Sequence, residues 1–294
     1  MISTKSITAG KESAMTEKDP SRIEVLKKID ELEKQGIFDK DVEEDPPTIP
    51  IQPGIVDYCQ KKLSTRIKSR YTFHLARKFL NKAIRNGQII VKDVIGIEHL
   101  NKVNSGAVLT CNHFSAFDSF LTQIVYEKSF QHKKRKLFRV IREGNYTNFP
   151  GFYGKLMRNC NTLPLSANPQ TMKEFLKGAQ YQLHQGHYVL IYPEQSMWWN
   201  YRKPKPLKSG AFTIAASAHV PVVPIFICME DTDHLGEDGF PIQAYTIFVG
   251  KAIYPNLQES ISENKAYMAE ENYKQWKEIY ESFYHIPLHY SCEN

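Results

Sequence analysis

From residue 88 onward, the chain alternates short β-rich runs with longer segments of helical periodicity. The β-rich runs predict strands at 88–94, 107–111, 137–141, 162–165, 188–192, 222–227 and 245–249. Helical patterns fall near 115–129, 149–158, 169–184, 208–219 and 258–283. This alternation predicts an α/β domain in which helices flank a mostly parallel central sheet. In such sheets ligands bind beyond the carboxyl ends of the strands.

Composition narrows the class of protein. A hydrophobic content of 41% and a charged content of 24% are ordinary for a globular protein. No apolar run approaches the roughly 20 residues that a spanning helix needs, and residues 1–20 lack the apolar core of a secretory signal. The five cysteines are scattered and never spaced as CxxC. We therefore expect a reduced, cytoplasmic protein without a cysteine zinc site.

The charge pattern divides the chain into three parts. Residues 1–56 hold 8 basic and 12 acidic residues, and their pattern predicts a polar tail, a short helix near 21–35 and a proline-rich linker. Residues 57–87 predict a basic amphipathic helix, since 57–92 hold 10 basic residues and one aspartate. Residues 88–294 form the α/β domain. The basic helix either packs on the core or lies in a membrane interface.

One constellation carries chemistry. The stretch TCNHFSAFDSF at 110–120 places His113 and Asp118 five positions apart where a strand gives way to a helix. Alone, the spacing also fits a loop histidine followed by a first-turn aspartate. A carboxylate one helical turn away can, however, hold one ring nitrogen so that the other accepts a proton. Because no nucleophile motif accompanies the pair, it suits activation of a substrate hydroxyl and direct transfer between two substrates.

At these residues the sequence resembles the lysophospholipid (1-acylglycerol-3-phosphate) acyltransferase family, whose hallmark is Asn-His-x4-Asp. Three further blocks are similar in order and spacing: YPEQS at 192–196, LKSGAF at 207–212 and VPVVPI at 220–225. The resemblance implies a glycerolipid acyltransferase-like fold with an N-terminal helical extension. It also implies roles: His113 as general base, Asp118 orienting it, Asn112 positioning the loop, and Glu194 bonding acceptor or thioester groups. Gly210 would permit close backbone approach where a helix begins.

Two departures bear on the acceptor. Ser166 stands where the family's second block usually ends in arginine, and Gln195-Ser196-Met197 replaces the usual Gly-Thr-Arg. Neighbouring basic residues could bind an acceptor phosphate in place of the missing arginines: Arg142, Arg158 and Lys208, and also Arg139, Lys155 and Arg202. Ser196 is a further predicted substrate-binding residue. The alternative is an acceptor that has no phosphate monoester.

The resemblance also implies partners. The acyl donor would be acyl-CoA or an acyl-carrier protein, used as a substrate, and the reaction would need no metal and no cofactor. The acceptor would be a lysolipid such as 1-acylglycerol-3-phosphate, and residues 57–85 would meet an anionic membrane surface. This places the protein at the inner face of the cell membrane. No nucleic-acid motif accompanies the basic helix. The alternative is a catalytically inactive lipid-binding module with the same fold.

Overall fold

A computed structural model describes residues 17–43 and 48–293. The tail predicted for residues 1–20 therefore lies outside the described residues as far as residue 16. Nine α-helices occur in the described part: α1 Pro20–Lys34, α2 Leu63–Arg85, α3 Ile97–Asn101, α4 Asp118–Lys128, α5 Glu143–Thr147, α6 Gly151–Asn159, α7 Pro169–His184, α8 Gly210–Ser217 and α9 Ile261–Tyr284. Seven strands alternate with them: β1 Ile90–Ile95, β2 Ala107–Cys111, β3 Leu137–Ile141, β4 Thr162–Pro164, β5 Tyr188–Ile191, β6 Val222–Leu235 and β7 Pro241–Val249.

The strands form one sheet in the order β1-β7-β6-β2-β5-β3-β4. Every pairing is parallel except β6 with β7, which form an antiparallel pair. The predicted α/β class with a mostly parallel sheet is thus confirmed. β2 lies near the centre, between β5 and β6, so the loop after Cys111 leaves the carboxyl edge of the sheet with a neighbour on each side.

The core has two layers because successive residues of a strand face opposite sides of the sheet. Leu109 of β2 packs with Leu121 and Val125 of α4, whereas Val108 packs with Phe175 of α7 and with α8. All five residues of β2 are fully buried. A strand that is covered on both faces consists of a nearly continuous apolar run, so the predicted boundaries of β2 agree with the structure.

Helix α2 contains no acidic residue, and it contacts the domain unevenly. Its second half packs through Leu80 and Ala83, which are buried against the sheet. In its first half, Leu63, Ile67 and Tyr71 follow one another at intervals of four and remain 61–69% exposed. The second half therefore packs on the core, and the membrane-interface interpretation stays a prediction that concerns the first half.

The N-terminal segment is attached to the domain. Helix α1 buries Ile29 and Leu32 against Trp198, which is fully buried. The proline-rich stretch, where described, is held by Glu143, whose carboxylate accepts a hydrogen bond from the N–H of Ile51 at 2.7 Å. Tyr58 is also buried. The sequence predicts a linker here because proline interrupts helices and strands. In the structure, other residues of this stretch contact the domain through their N–H groups and side chains.

No helix among residues 17–43 and 48–293 has the length and apolar character needed to cross a membrane.

Candidate functional site

The predicted pair meets at the carboxyl end of β2. His113 lies in the loop after β2, and Asp118 is the first residue of α4. The Nδ1 atom of His113 lies 2.6 Å from the Oδ2 atom of Asp118. Two bonds shape the connecting turn, from the N–H of Asp118 to the carbonyl of Ser115 and from the N–H of Phe117 to the Ser115 hydroxyl. The carboxylate thus lies at a helix N-terminus, where the macrodipole stabilises its negative charge.

Exposure gives the two side chains different roles. The Asp118 side chain is 3% exposed, whereas that of His113 is 23% exposed. The imidazole stacks on the ring of Tyr192, with centroids 4.3 Å apart. Burial and the nearby Asp118 carboxylate raise the pKa of the Tyr192 hydroxyl. When Asp118 accepts a hydrogen bond from Nδ1–H, Nε2 has a free lone pair, so the arrangement can take a proton from a bound hydroxyl group.

Asn112 anchors the loop. Its side-chain N–H group donates to the carbonyl of Ile227 at 3.0 Å, and its carbonyl oxygen accepts from the N–H of Ile227 at 2.8 Å. These side-chain bonds attach the loop after β2 to the backbone of β6. Asn112 is buried, and both ends of its side-chain amide already bond to Ile227. The contacts fit the positioning role expected from the sequence.

Glu194 is buried and holds two loops together. One carboxylate oxygen accepts from the N–H of His113 at 2.9 Å, and the other from the N–H of Lys205 at 2.8 Å. Burial raises the pKa of Glu194, and the Lys205 charge opposes that rise. Because both oxygens already have protein donors, the geometry favours positioning of the His113 backbone. Direct bonding to acceptor or thioester groups remains a prediction.

Lys205 belongs to the site, although the sequence analysis missed it. Its side chain is 1% exposed, and Nζ donates to the carbonyl of Ser196 at 2.6 Å and to its hydroxyl at 2.8 Å. Nζ also lies 4.8 Å from the centroid of the Trp198 ring and 4.0 Å from the Glu194 carboxylate. Burial lowers the pKa of Lys205 to about 8. In the sequence it is one of several basic residues in the run YRKPKPLK, so no local signal distinguishes it.

The remaining predicted binding residues have partners. The Ser196 hydroxyl donates to the carbonyl of Phe38 at 2.8 Å. The Arg158 guanidinium donates to the carbonyls of Tyr146 and Phe149. Around Gly210 a Cβ would meet no atom within 4 Å, so packing does not require glycine there. The close backbone approach expected at Gly210 remains a prediction.

Two of the predicted cations are paired with the N-terminal segment. The Arg142 guanidinium donates to both oxygens of Asp41, at 2.8 and 2.7 Å. The Lys208 ammonium lies 2.8 Å from the Asp39 carboxylate. A carboxylate that accepts two hydrogen bonds from one guanidinium uses the same donors that a phosphate would use. Their role toward an acceptor remains a prediction, and any acceptor phosphate would have to compete with these aspartates.

At the usual position of the second-block arginine, Ser166 is buried and donates to Glu143 at 2.6 Å.

The fold and the site together define an α/β enzyme domain with a histidine–aspartate pair at the end of a central strand. Comparison with known proteins identifies its class: the family model described as Acyltransferase matches residues 92–228, which include the pair and Glu194. By this match the segment, 137 of the chain's 294 residues, carries an acyltransferase domain. The chain is similar in structure to the 1-acyl-sn-glycerophosphate (LPA) acyltransferase PlsC from Thermotoga maritima. That match has a TM-score of 0.50 and 21% identity, and it covers 76% of this chain and 85% of that chain. At 21% identity, this similarity shows that the two proteins share a fold and nothing more. No curated protein sequence matches the chain.

Proposed function

We propose that this acyltransferase moves a fatty acyl group from an acyl thioester to the free hydroxyl of a lysophospholipid, as a step of phospholipid synthesis. The observation that carries the proposal is the 2.6 Å contact between His113 and Asp118, with the imidazole partly exposed. The pair can remove a hydroxyl proton but does not itself provide an acyl-accepting oxygen or sulfur, and this fits direct attack by a substrate alcohol.

The chemistry balances without further groups. Nε2 of His113 takes the proton as the acceptor oxygen bonds to the thioester carbonyl carbon. Asp118 stabilises the imidazolium that forms, as a carboxylate does in other histidine-based sites. When the tetrahedral intermediate collapses, the carbon–sulfur bond breaks and the imidazolium returns its proton to the thiolate. The products are an ester and a free thiol, and His113 is regenerated.

The donor would be acyl-CoA or an acyl-carrier protein, and the acceptor would be 1-acylglycerol-3-phosphate or a related glycerolipid. Arg142 and Lys208 are basic residues near the Glu194 loop. The Arg142 guanidinium also donates to the carbonyl of Gln195, and the backbone N–H of Lys208 donates to the carbonyl of Pro193. A phosphorylated acceptor would replace Asp41 and Asp39 at these cations. The PlsC neighbour is named for a phosphorylated acceptor of this kind.

The acceptor is a lipid, so the enzyme needs to reach a membrane. We infer that residues 57–85 rest on the anionic cytoplasmic face of the cell membrane. The exposed Leu63, Ile67 and Tyr71 support this, together with the basic residues around them. A helix of this composition lies in the interface with its apolar side among the acyl chains.

An acyl-transfer assay tests the proposal. Each donor type is paired with lysolipids, monoacylglycerols and glycolipids, and the products are read by mass spectrometry. We expect His113→Ala to abolish transfer while lowering the melting temperature by no more than a few degrees. His184→Ala, at an exposed position on α7, is the matched control and should keep full activity. Normal turnover by His113→Ala would refute the assignment, and binding of lipids without turnover by the wild type would point to an inactive lipid-binding module.

A further inference from the structure

A second polar site lies at the opposite end of the sheet from His113. A cleft of about 440 Å³, here called the α2 cleft, opens between the first half of α2 and the start of β3 and β4. Lys136, just before β3, and Asn161, just before β4, are among the residues that line it. Because β3, β4 and β2 run in the same direction, the amino ends of β3 and β4 are remote from the carboxyl end of β2. The α2 cleft is therefore separate from the catalytic pair.

The α2 cleft concentrates positive charge. Three arginines of α2 (Arg66, Arg70 and Arg77) and Lys136 line it, and no aspartate or glutamate does. Arg77 pairs with Glu127 outside the cleft. In the part of the chain that the structure describes, the guanidinium groups of Arg66 and Arg70 have no hydrogen-bond or ion-pair partner. Burial, and then the charge of Arg66, lower the pKa of Lys136. Among the described residues, Arg66, Arg70 and Lys136 thus line one cleft without an acidic partner, and a bound anion would reduce their mutual repulsion.

The floor of the cleft is held in place by neutral groups. The side-chain oxygen of Asn161 accepts hydrogen bonds from Gln60 at 2.7 Å and from the Ser69 hydroxyl at 2.8 Å. Gln60 in turn accepts from the Lys136 ammonium at 3.0 Å. Gln60 and Asn161 both have positive φ angles, 50° and 51°, which non-glycine residues rarely adopt. Strained backbone of this kind persists where the surrounding contacts enforce it, and it is common at binding sites.

A buried arginine adds charge behind this floor. Arg139 is 9% exposed, and it donates through Nη2 to Gln123, whose side chain lines the cleft. Its Nη1 atom is buried and has no hydrogen-bond partner among the described residues. Burial lowers the pKa of this guanidinium. The charge of Arg139, one hydrogen bond away from a residue that lines the cleft, thus adds to the positive potential there.

The apolar stripe identifies the kind of ligand. Arg66 and Arg70 each immediately precede a member of the exposed stripe, Ile67 and Tyr71. If the stripe lies among acyl chains, the two guanidinium groups lie at the level of the lipid phosphates, since long basic side chains reach up to the headgroups. Guanidinium groups bind phosphate oxygens in pairs, and two of them beside an ammonium suit a phosphate that carries nearly two negative charges.

We propose that the α2 cleft binds the phosphomonoester headgroup of an anionic phospholipid, at a site distinct from the acceptor site. The inference extends the membrane attachment proposed above and does not require that acyl transfer take place. Bound headgroups would fix the orientation of α2 on the bilayer, which general attraction to negative charge does not do.

Vesicle binding by the full-length His113→Ala protein tests this inference, so that turnover cannot alter the lipids. Phosphatidylcholine vesicles contain either phosphatidate or phosphatidylserine at matched surface charge. Arg66→Gln with Arg70→Gln is compared with Lys82→Gln with Arg85→Gln, which removes the same charge from α2 outside the cleft. All four side chains are exposed, so the fold should be retained, and circular dichroism checks this.

We expect the cleft pair to weaken binding to phosphatidate vesicles about 10–30-fold, from a factor of about three to five for each basic residue. The control pair should weaken binding several-fold less, and the wild type should prefer phosphatidate to phosphatidylserine. Equal losses for the two pairs, or no lipid preference, would overturn the inference. The inference would also fail if inorganic phosphate in solution bound the site as tightly as the vesicles do. It would fail likewise if the double substitution in the cleft abolished capture of an acyl-carrier protein and left vesicle binding unchanged.

Discussion

Replacing Asp118 by asparagine removes one charge from the site and leaves its shape nearly unchanged. The side chain is 3% exposed and its Oδ2 lies 2.6 Å from the His113 ring, so the amide must also face that ring. If its NH₂ group faces Nδ1, it selects the tautomer whose Nε2 already carries a proton. If its oxygen faces Nδ1, the imidazolium loses its counter-charge. Either orientation prevents or weakens proton transfer from the acceptor.

The expected loss follows from the same change in another class of enzyme. In serine hydrolases, asparagine in place of the triad aspartate lowers kcat by about 10⁴-fold. Since one decade in rate corresponds to about 1.4 kcal/mol, a loss of about 10³–10⁴-fold here means about 4–5.5 kcal/mol of lost transition-state stabilisation. The volume and burial of the side chain hardly change, so we expect the melting temperature to stay within a few degrees of the wild type.

Release of free thiol from an acyl thioester measures the rate, and mass spectrometry of the lipid product confirms the transfer. Glu98→Gln is the matched control, because Glu98 is a first-turn carboxylate at the start of α3 but is exposed. It should retain wild-type activity. If Asp118→Asn keeps more than a tenth of the wild-type rate at an unchanged melting temperature, the role given to this contact is wrong.

Three further predictions concern the rest of the molecule. Asp41→Asn removes the negative charge that competes with a phosphate for Arg142, so KM for a phosphorylated acceptor should fall while KM for a monoacylglycerol stays constant; equal changes for both acceptors would contradict a phosphate role for Arg142. Trp198→Ala removes a fully buried side chain and should lower the free energy of unfolding by about 3–5 kcal/mol, measured in urea, whereas Trp199→Ala, at a half-buried position, should cost less. Burial lowers the pKa of His187 to about 4, below its ordinary value of 6.5, so the unfolded chain binds the proton more readily. Stability should therefore fall by about 1–2 kcal/mol between pH 7 and pH 5, and His187→Gln should reduce this pH dependence in urea unfolding at the two pH values.

Local patterns predicted the elements that are long or buried on both faces. β2 and β3 have the predicted boundaries, and α7 was predicted over the same residues. The five-residue helices α3 and α5 were missed, since a helix of little more than one turn shows no periodicity. β6 and β7 are longer than predicted because their antiparallel pairing continues into the mostly polar, exposed end of β6. That pairing is a tertiary property, and a window of sequence does not contain it.

The contact between His113 and Asp118 could be predicted because the two residues are neighbours along the chain. The five-residue spacing across a strand-to-helix junction brings the imidazole and the carboxylate together when the strand and the helix form. The partners of Glu194, Arg142 and Lys205 could not be predicted in this way. Glu194 reaches the His113 loop across 81 positions, and Arg142 reaches Asp41 across 101. The burial that lowers the pKa of Lys205 likewise depends on Trp198 and on the N-terminal segment packed against it. Short-range geometry follows from backbone preferences, whereas charge compensation and burial depend on which distant segments the folded core brings into contact.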